Sequence, residues 1–381
     1  MQYTHLGRSG LSVSRLCLGT MNFGPQTDEP AAHSIMDSAQ EAGINFFDTA
    51  NVYGGTEHRG WTEEILGRWF AQGGQRREKT VLATKLFGGM TDRPNDGKLS
   101  ALNIRRALDA SLKRLQTDHI DVYQFHHVDR DTPWDEIWQA IEVAVQQGKI
   151  LYSGSSNFAG WHIAQAQAAA ARRNYPGLVS EQSIYNLLTR SVELEVIPAA
   201  LEFGLGIIPW SPLHGGLLGG VLRKEAAGVR RAEGRALETL KTHRDQIQKC
   251  EDLADELGHQ PGEIGLAWLL AQPAVTAPII GPRTQEQLDA VIDSASCRWP
   301  SASVSVRPRV RRHLAPLGAS EDSTVRHASD DYRRKFTPDC RAVGVPVEPV
   351  GQGLVVWRWP GRSLHTPDKG YASDHSRGRS M

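Results

Sequence analysis

Up to about residue 296 the chain alternates between short apolar runs that end in small or polar residues and longer stretches with a helical rhythm. The apolar runs are RLCLG (15–19), INFFD (44–48), TVLATK (80–85), IDVYQFH (120–126), ILYSGS (150–155), LVSEQ (178–182), GIIPW (206–210) and APIIG (277–281). Each has the length of a buried strand, and all but the first carry β-branched or aromatic residues. Between them, helices are expected over 33–42, 62–70, 102–115, 134–147, 161–172, 193–203, 262–270 and 284–295. The third shows the pattern most clearly, with Ile104, Leu108, Leu112 and Leu115 forming an apolar stripe against Arg106, Asp109 and Lys113.

Eight strands alternating with eight helices predict an α/β fold, the (β/α)8 TIM barrel, because each parallel connection needs a right-handed crossover. A doubly wound open sheet is the alternative. Against it, no G-x-G-x-x-G follows the first strand; Gly7, Gly10 and Gly19 suit a β-hairpin at the N-terminus and a strand end instead. Residues 213–235 form a Gly- and Arg-rich insertion expected to overhang the barrel mouth, and 242–257 reads as an extra amphipathic helix.

The alternation stops near Ser296. Domain boundaries of 1–296 for the barrel and 297–381 for a basic, aperiodic tail follow, the tail being either a disordered extension, a basic interaction arm or the product of a shifted reading frame. Charge marks the same break. Overall, 43 basic and 43 acidic residues cancel, but from Arg298 onward there are 15 basic against 8 acidic residues. The neutral total gives no reason to expect a nucleic-acid partner, and no run of 18 apolar residues suggests a membrane span. The N-terminus lacks the pattern of a signal peptide, and Cys17, Cys250, Cys297 and Cys340 share no C-x-x-C spacing. A cytoplasmic protein with reduced cysteines and no metal site is the expectation.

Barrels of this type gather their chemistry at the C-terminal strand ends. There the chain places Asp48 and Tyr53 after the second strand, Lys85 at the third, His126 at the fourth, Ser156 and Asn157 after the fifth, Gln182 at the sixth and Trp210 at the seventh. Taken singly, Asp48 suits a turn, Tyr53 packing, Lys85 a solvated edge, and His126 a satisfied core histidine. Together they can donate a proton to a carbonyl: a nearby cation favours the phenolate of a Tyr whose reference pKa is about 10, and an Asp holds that cation in place. Strand alternation would send His126 and its twin His127 to opposite sides.

On these residues the chain resembles the aldo-keto reductase superfamily, NAD(P)H-dependent carbonyl reductases built on a (β/α)8 barrel. The resemblance runs from about Tyr3 to Ala295 and is carried by FDTANVYG, ATKLFG, DVYQFHH, GSSNF, SEQSIYNLLTR, PWSPLHGGLLGG and IIGPRTQEQLDA. It implies a catalytic group of Asp48, Tyr53, Lys85 and His126, with Tyr53 as general acid and His126 orienting the substrate carbonyl. It implies that Ser156, Asn157 and Gln182 bind the nicotinamide carboxamide and that Trp210 stacks on the ring. Ser211 and Leu213 would contact the pyrophosphate, and Gly281, Arg283 and Gln287 the adenosine phosphate. Arg283 favours NADPH over NADH, since a guanidinium can pair with a 2′-phosphate.

The implied activity is reduction of a small-molecule aldehyde or ketone to an alcohol. Two alternatives stand beside it: a slow-turnover, redox-sensing regulatory subunit on the same barrel, and a Schiff-base lyase with Lys85 as nucleophile. Asp289, Ala290 and Val291 stand where the family usually has an acidic residue and an Asn against the adenine. Met21, Asn22, Phe23, Phe87, Phe125 and the 213–235 insertion are expected to wall the substrate pocket.

Overall fold

The computed structural model describes residues 1–228 and 234–296. The tail expected from 297 onward and residues 229–233 of the insertion lie outside the described residues.

A hairpin opens the fold, β1 (Tyr3–His5) pairing antiparallel with β2 (Ser12–Ser14). Its turn uses Gly7 at φ 58°, where an added Cβ would stand 2.5 Å from the Val179 carbonyl oxygen and 2.6 Å from that of Gly204. Only a glycine lets the hairpin lie this close against the barrel.

Eight parallel strands follow: β3 (Cys17–Gly19), β4 (Phe46–Asp48), β5 (Val81–Leu86), β6 (Ile120–Phe125), β7 (Ile150–Ser156), β8 (Leu178–Gln182), β9 (Gly206–Ile207) and β10 (Ile279–Ile280). They pair in chain order, β10 returning to β3, and Ile207 bridges Val275 across the remaining seam. The architecture is the (β/α)8 barrel expected, with all eight strands where the apolar runs put them.

Helices α1 (Glu29–Glu41), α2 (Trp61–Phe70), α3 (Ala101–Leu115), α4 (Trp134–Gln146), α5 (Gly160–Arg172), α6 (Val196–Phe203), α9 (Pro261–Leu270) and α10 (Gln285–Ser296) match the periodic stretches, while α7 (Val221–Ala226) and α8 (Gly234–Leu257) are additional. Capping sets several of their starts. Asp28 accepts from the Ala31 amide at 2.9 Å to begin α1, and Ser100 accepts from that of Asn103 at 3.3 Å to begin α3. As the stripe predicts, α3 buries Ile104, Leu108, Leu112 and Leu115.

Period-2 alternation sorts the strand residues into two cores. Phe47, Leu82 and Tyr123 face outward into the layer shared with the helices, beside Trp69 and Ile65. Cys17, Phe46, Ala83, Val122, Ile208 and Ala277 face inward and are closed below by Leu6 and Val13 of the hairpin. Two residues further along β4, β5 and β6, the inward layer turns polar at Asp48, Lys85 and Gln124, all buried. The apolar floor thus supports a polar layer at the C-terminal strand ends.

Part of the insertion is helical. Val221 to Ala226 folds as α7 because Glu251 of α8 accepts from the Leu222 amide at 2.9 Å and the Arg223 amide at 3.2 Å, which satisfies the first turn of the helix. Helix α8 begins at Gly234 rather than at 242, with a kink at His243.

Candidate active site

Lys85 stands at the centre of the polar layer with no solvent exposure. Its ammonium donates to Asp48 Oδ2 at 2.6 Å, to the Thr49 carbonyl at 2.9 Å and to the Tyr53 hydroxyl at 3.1 Å. The turn that carries Tyr53 is fixed by backbone bonds, Asn51 N–H to Lys85 O at 3.1 Å and Tyr53 N–H to Ala50 O at 3.1 Å. The Asn51 amide therefore ties the turn to β5. His126 completes the group, its ring edge-on to Tyr53 with centroids 5.9 Å apart.

The electrostatics follow from burial. For Lys85, burial alone would lower the pKa, but the charge of Asp48, the Tyr53 oxygen and hydrogen bonds to both outweigh it and leave the ammonium above its ordinary value. Tyr53 corrects the expectation that Lys85 makes the phenol more acidic than usual. Burial raises its pKa by more than Lys85 pulls it down, so the net shift is upward. His126 is driven down to about 3 by burial, Lys85 and His127, which keeps the imidazole neutral near pH 7.

A second correction concerns the twin histidines. Both His126 and His127 line one cavity, their rings stacked at 5.3 Å and 6°. Strand β6 ends at Phe125, so the alternation that would part them no longer applies.

That cavity is about 790 Å³ and is lined by Asp48, Tyr53, His126, Ser156, Asn157, Gln182, Trp210, Ser211, Leu213, Gly281, Arg283 and Gln287. Lys85 is the one candidate residue beneath the lining rather than in it. Met21, Asn22, Ala290 and Val291 also face the cavity. Phe23 and Phe125 do not: both are fully buried in the outer core, Phe125 against Trp134 and Trp138. Phe125 lies one residue after the inward-facing Gln124, so alternation turns it toward the helices. Phe87 is partly buried beside the His127 ring, at 5.4 Å, and is not part of the lining.

Along the cavity wall, Asn157 sits at φ 58° and uses its whole amide. Its Nδ2 donates to Ser156 Oγ at 3.0 Å and to the His126 carbonyl at 3.2 Å, while its Oδ1 accepts from Trp210 Nε1 at 3.2 Å. Trp210 is therefore held as a wall by Asn157. Gln182 donates from Nε2 to Asp48 Oδ1 at 2.8 Å and to Gln124 Oε1 at 3.3 Å, which leaves its own carbonyl oxygen for the cavity. The assignment of amide oxygen and nitrogen follows from this network.

Gln124 is the residue that inspection of strand ends missed. Fully buried, it donates to Asp48 Oδ1 at 2.9 Å. The signal was available: two positions before His126, a polar residue interrupts the apolar DVYQFHH run in the inward register of Val122.

At the far end of the cavity, the backbone of Arg283 is pinned on both sides. Its N–H donates to Gln287 Oε1 at 3.0 Å, and its carbonyl accepts from Thr27 Oγ1 at 3.0 Å. Gln287 thus shapes the Arg283 segment through its side-chain oxygen. The exposed Arg283 guanidinium makes no ion pair among the described residues. Lys224 also lines the cavity and donates to the Gly219 carbonyl at 2.7 Å.

One further carboxyl adjoins the site without lining it. Glu181, fully buried next to Gln182, is raised by burial to about 7 against the lowering effect of hydrogen bonds from Ser155, Ser183 and two backbone amides. Among the described residues no group of three or more His, Cys, Asp or Glu is placed to hold a metal ion, and no helix is long and apolar enough to cross a membrane.

A parallel eight-stranded barrel with a large cavity at its C-terminal mouth places the protein among the (β/α)8 barrel enzymes. Within them, the chain belongs to the Aldo/keto reductase family, whose sequence profile matches residues 15–305. It is 59% identical over 293 residues to the uncharacterized oxidoreductase YrpG of Bacillus subtilis, covering 76% of this chain and 89% of the relative. A probable voltage-gated potassium channel subunit beta of Oryza sativa is 38% identical over 300 residues, covering 76% and 89%. Versiconal hemiacetal acetate reductase of Aspergillus parasiticus is 33% identical over 327 residues, covering 78% and 93%. Family and relatives together make the chain an oxidoreductase of carbonyl compounds.

Proposed function

We propose that the chain reduces an aldehyde or ketone to the alcohol with NADPH, Tyr53 giving the proton to the carbonyl oxygen. The observation that carries this is Tyr53 in the cavity wall, its hydroxyl 3.1 Å from an ammonium that Asp48 holds at 2.6 Å. At neutral pH the phenol is fully protonated and available as a donor. The fixed charge of Lys85 stabilises the phenolate as the proton leaves, and its bond to Asp48 keeps that charge in position. Neutral His126 donates a hydrogen bond to the carbonyl oxygen and so orients it.

The cavity's residues fit the cofactor. Its volume suits a large ligand, the Trp210 indole offers a flat wall, and the free carbonyl of Gln182 can accept from a carboxamide. The exposed Arg283 at the other end matches a 2′-phosphate, which favours NADPH over NADH. Bound NADPH would supply the hydride for the carbonyl carbon. In this proposal Asp48, Tyr53, Lys85 and His126 are the catalytic group, and Ser156, Asn157, Gln182, Trp210, Ser211, Leu213, Gly281, Arg283 and Gln287 hold the cofactor. A barrel domain of 1–296 and a reduced, cytoplasmic setting belong to the same proposal, the latter because Cys17 and Cys250 are buried free thiols.

The test is consumption of NADPH by purified protein with a panel of aldehydes and ketones. No consumption with any member, despite tight NADPH binding, would favour the second possibility, a slow-turnover redox-sensing subunit, which rests on the likeness to the potassium channel subunit of Oryza sativa. A Schiff-base role for Lys85 is disfavoured, because the ammonium is paired with Asp48 and shielded from the cavity.

A further inference from the structure

Glu181 is the buried titratable group that the proposed chemistry leaves unused. In the β7–β8 register Ser155 lies beside Glu181 and Ser156 beside Gln182. Ser156 and Gln182 face the cavity, so alternation turns Ser155 and Glu181 to the outer side of the wall. There Glu181 Oε2 accepts from the Ser155 hydroxyl at 2.5 Å, and Oε1 accepts from the Ser183 hydroxyl at 2.6 Å and the Phe158 amide at 3.1 Å. Among the described residues it makes no ion pair.

A carboxyl buried without a cation is costly, and an apolar side chain would fill the same space at less expense. What the carboxyl provides is a set of acceptors for three segments at once: the end of β7, the turn leading into α5, and the chain just after β8. These segments carry the cavity side chains of Ser156, Asn157 and Gln182. The turn also holds Asn157 in the left-handed region, which a non-glycine residue rarely adopts unless its surroundings enforce it. Its amide reaches the Gln182 carbonyl at 3.0 Å, and the Trp210 amide reaches the Ser183 carbonyl at 3.1 Å. Glu181 therefore connects, within one or two hydrogen bonds, to every residue proposed to surround the nicotinamide.

We propose that Glu181 is the positioning residue of the nicotinamide end of the cofactor site, holding the 156–158 turn from outside the barrel wall in its binding conformation. This rests on the cavity being an NADPH site. The role is local: Glu181 touches nothing at the Arg283 end.

The experiment measures dissociation constants of the full chain and of Glu181→Gln for NADPH and for adenosine 2′,5′-bisphosphate, which has the phosphorylated adenosine but no nicotinamide, together with thermal unfolding. The expected result is NADPH binding weakened by ~10-fold or more with the bisphosphate unchanged within about twofold, as the loss of a buried acceptor shared by three donors implies. Unchanged NADPH binding overturns the proposal. Equal weakening of both ligands does so too, since a general structural defect would produce it. Should Glu181→Gln not fold, Ser183→Ala removes one donor and must show the same split. Failure of the wild-type chain to bind either ligand overturns the NADPH reading itself, an outcome distinct from the others.

Discussion

Gln182 donates a hydrogen bond to Asp48 Oδ1 at 2.8 Å across a sequence separation of 134 residues. Gln124 donates to the same oxygen, so the two oxygens of Asp48 are divided: Oδ1 serves the amides and Oδ2 serves Lys85. The proposed proton-donating group and the proposed nicotinamide contacts therefore share one carboxylate, so that a change at either would be felt at the other.

Replacing Tyr53 by Phe keeps the ring and removes the only proton that the proposed mechanism transfers. Turnover should fall by roughly 10²- to 10⁴-fold, the usual contribution of general acid catalysis, with NADPH affinity within about twofold of wild type. Steady-state kinetics and cofactor titration check this. Undiminished turnover would remove Tyr53 from its role.

Lys85→Met leaves Asp48 buried without its cation. The expected loss of stability is about 3–5 kcal/mol, the cost of breaking a buried ion pair by removing one partner. Denaturant unfolding measures it. Adding Asp48→Asn should restore part of the stability but not the activity, because the uncompensated charge is gone and the phenolate still lacks its partner.

The imidazole of His126 titrates at about 3 in the folded chain, against an ordinary value of 6.5. Two consequences follow. The pH profile of turnover should show no limb near 6.5 from this residue, and His126→Gln, which keeps a donor, should retain more activity than His126→Ala. For stability, the unfolded chain takes up a proton below 6.5 that the folded chain refuses until about 3. The contribution of His126 is therefore present above 6.5 and is lost as pH falls through that window. Comparing unfolding of wild type and His126→Gln at several pH values tests the sign.

Arg283→Ala should weaken NADPH binding by roughly 10- to 100-fold while leaving NADH almost unaffected, since only NADPH carries the 2′-phosphate. The dissociation constants of the two cofactors in wild type and variant supply the measurement. A parallel loss for both would mean that Arg283 serves the loop rather than the phosphate.

The strands were legible in sequence because a parallel barrel buries both faces of each one, and such runs as LVSEQ and IDVYQFH stand out whatever their context. Asp48, Tyr53 and His126 could be gathered because the fold sends strand ends to one mouth. What failed depended on where a strand stops and which way a side chain turns. His127 joined His126 in the cavity once β6 ended at Phe125, and Phe23 and Phe125 left it for the outer core. Gln124 was passed over because it lies two positions inside the strand end. The upward shift of Tyr53 required knowing how deeply the phenol is buried, and α7 depended on Glu251, a residue 25 or more positions downstream of the amides that it caps.

The hairpin residues Leu6 and Val13, with the apolar layer of Cys17, Phe46, Ala83 and Val122 above them, seal the barrel beneath Lys85 and Asp48. Among the described residues that floor is apolar. In the mechanism proposed above, the proton that Tyr53 gives up would be replenished from the mouth, the same opening that would admit substrate and release alcohol. On that proposal, re-arming the donor would wait on the departure of the product.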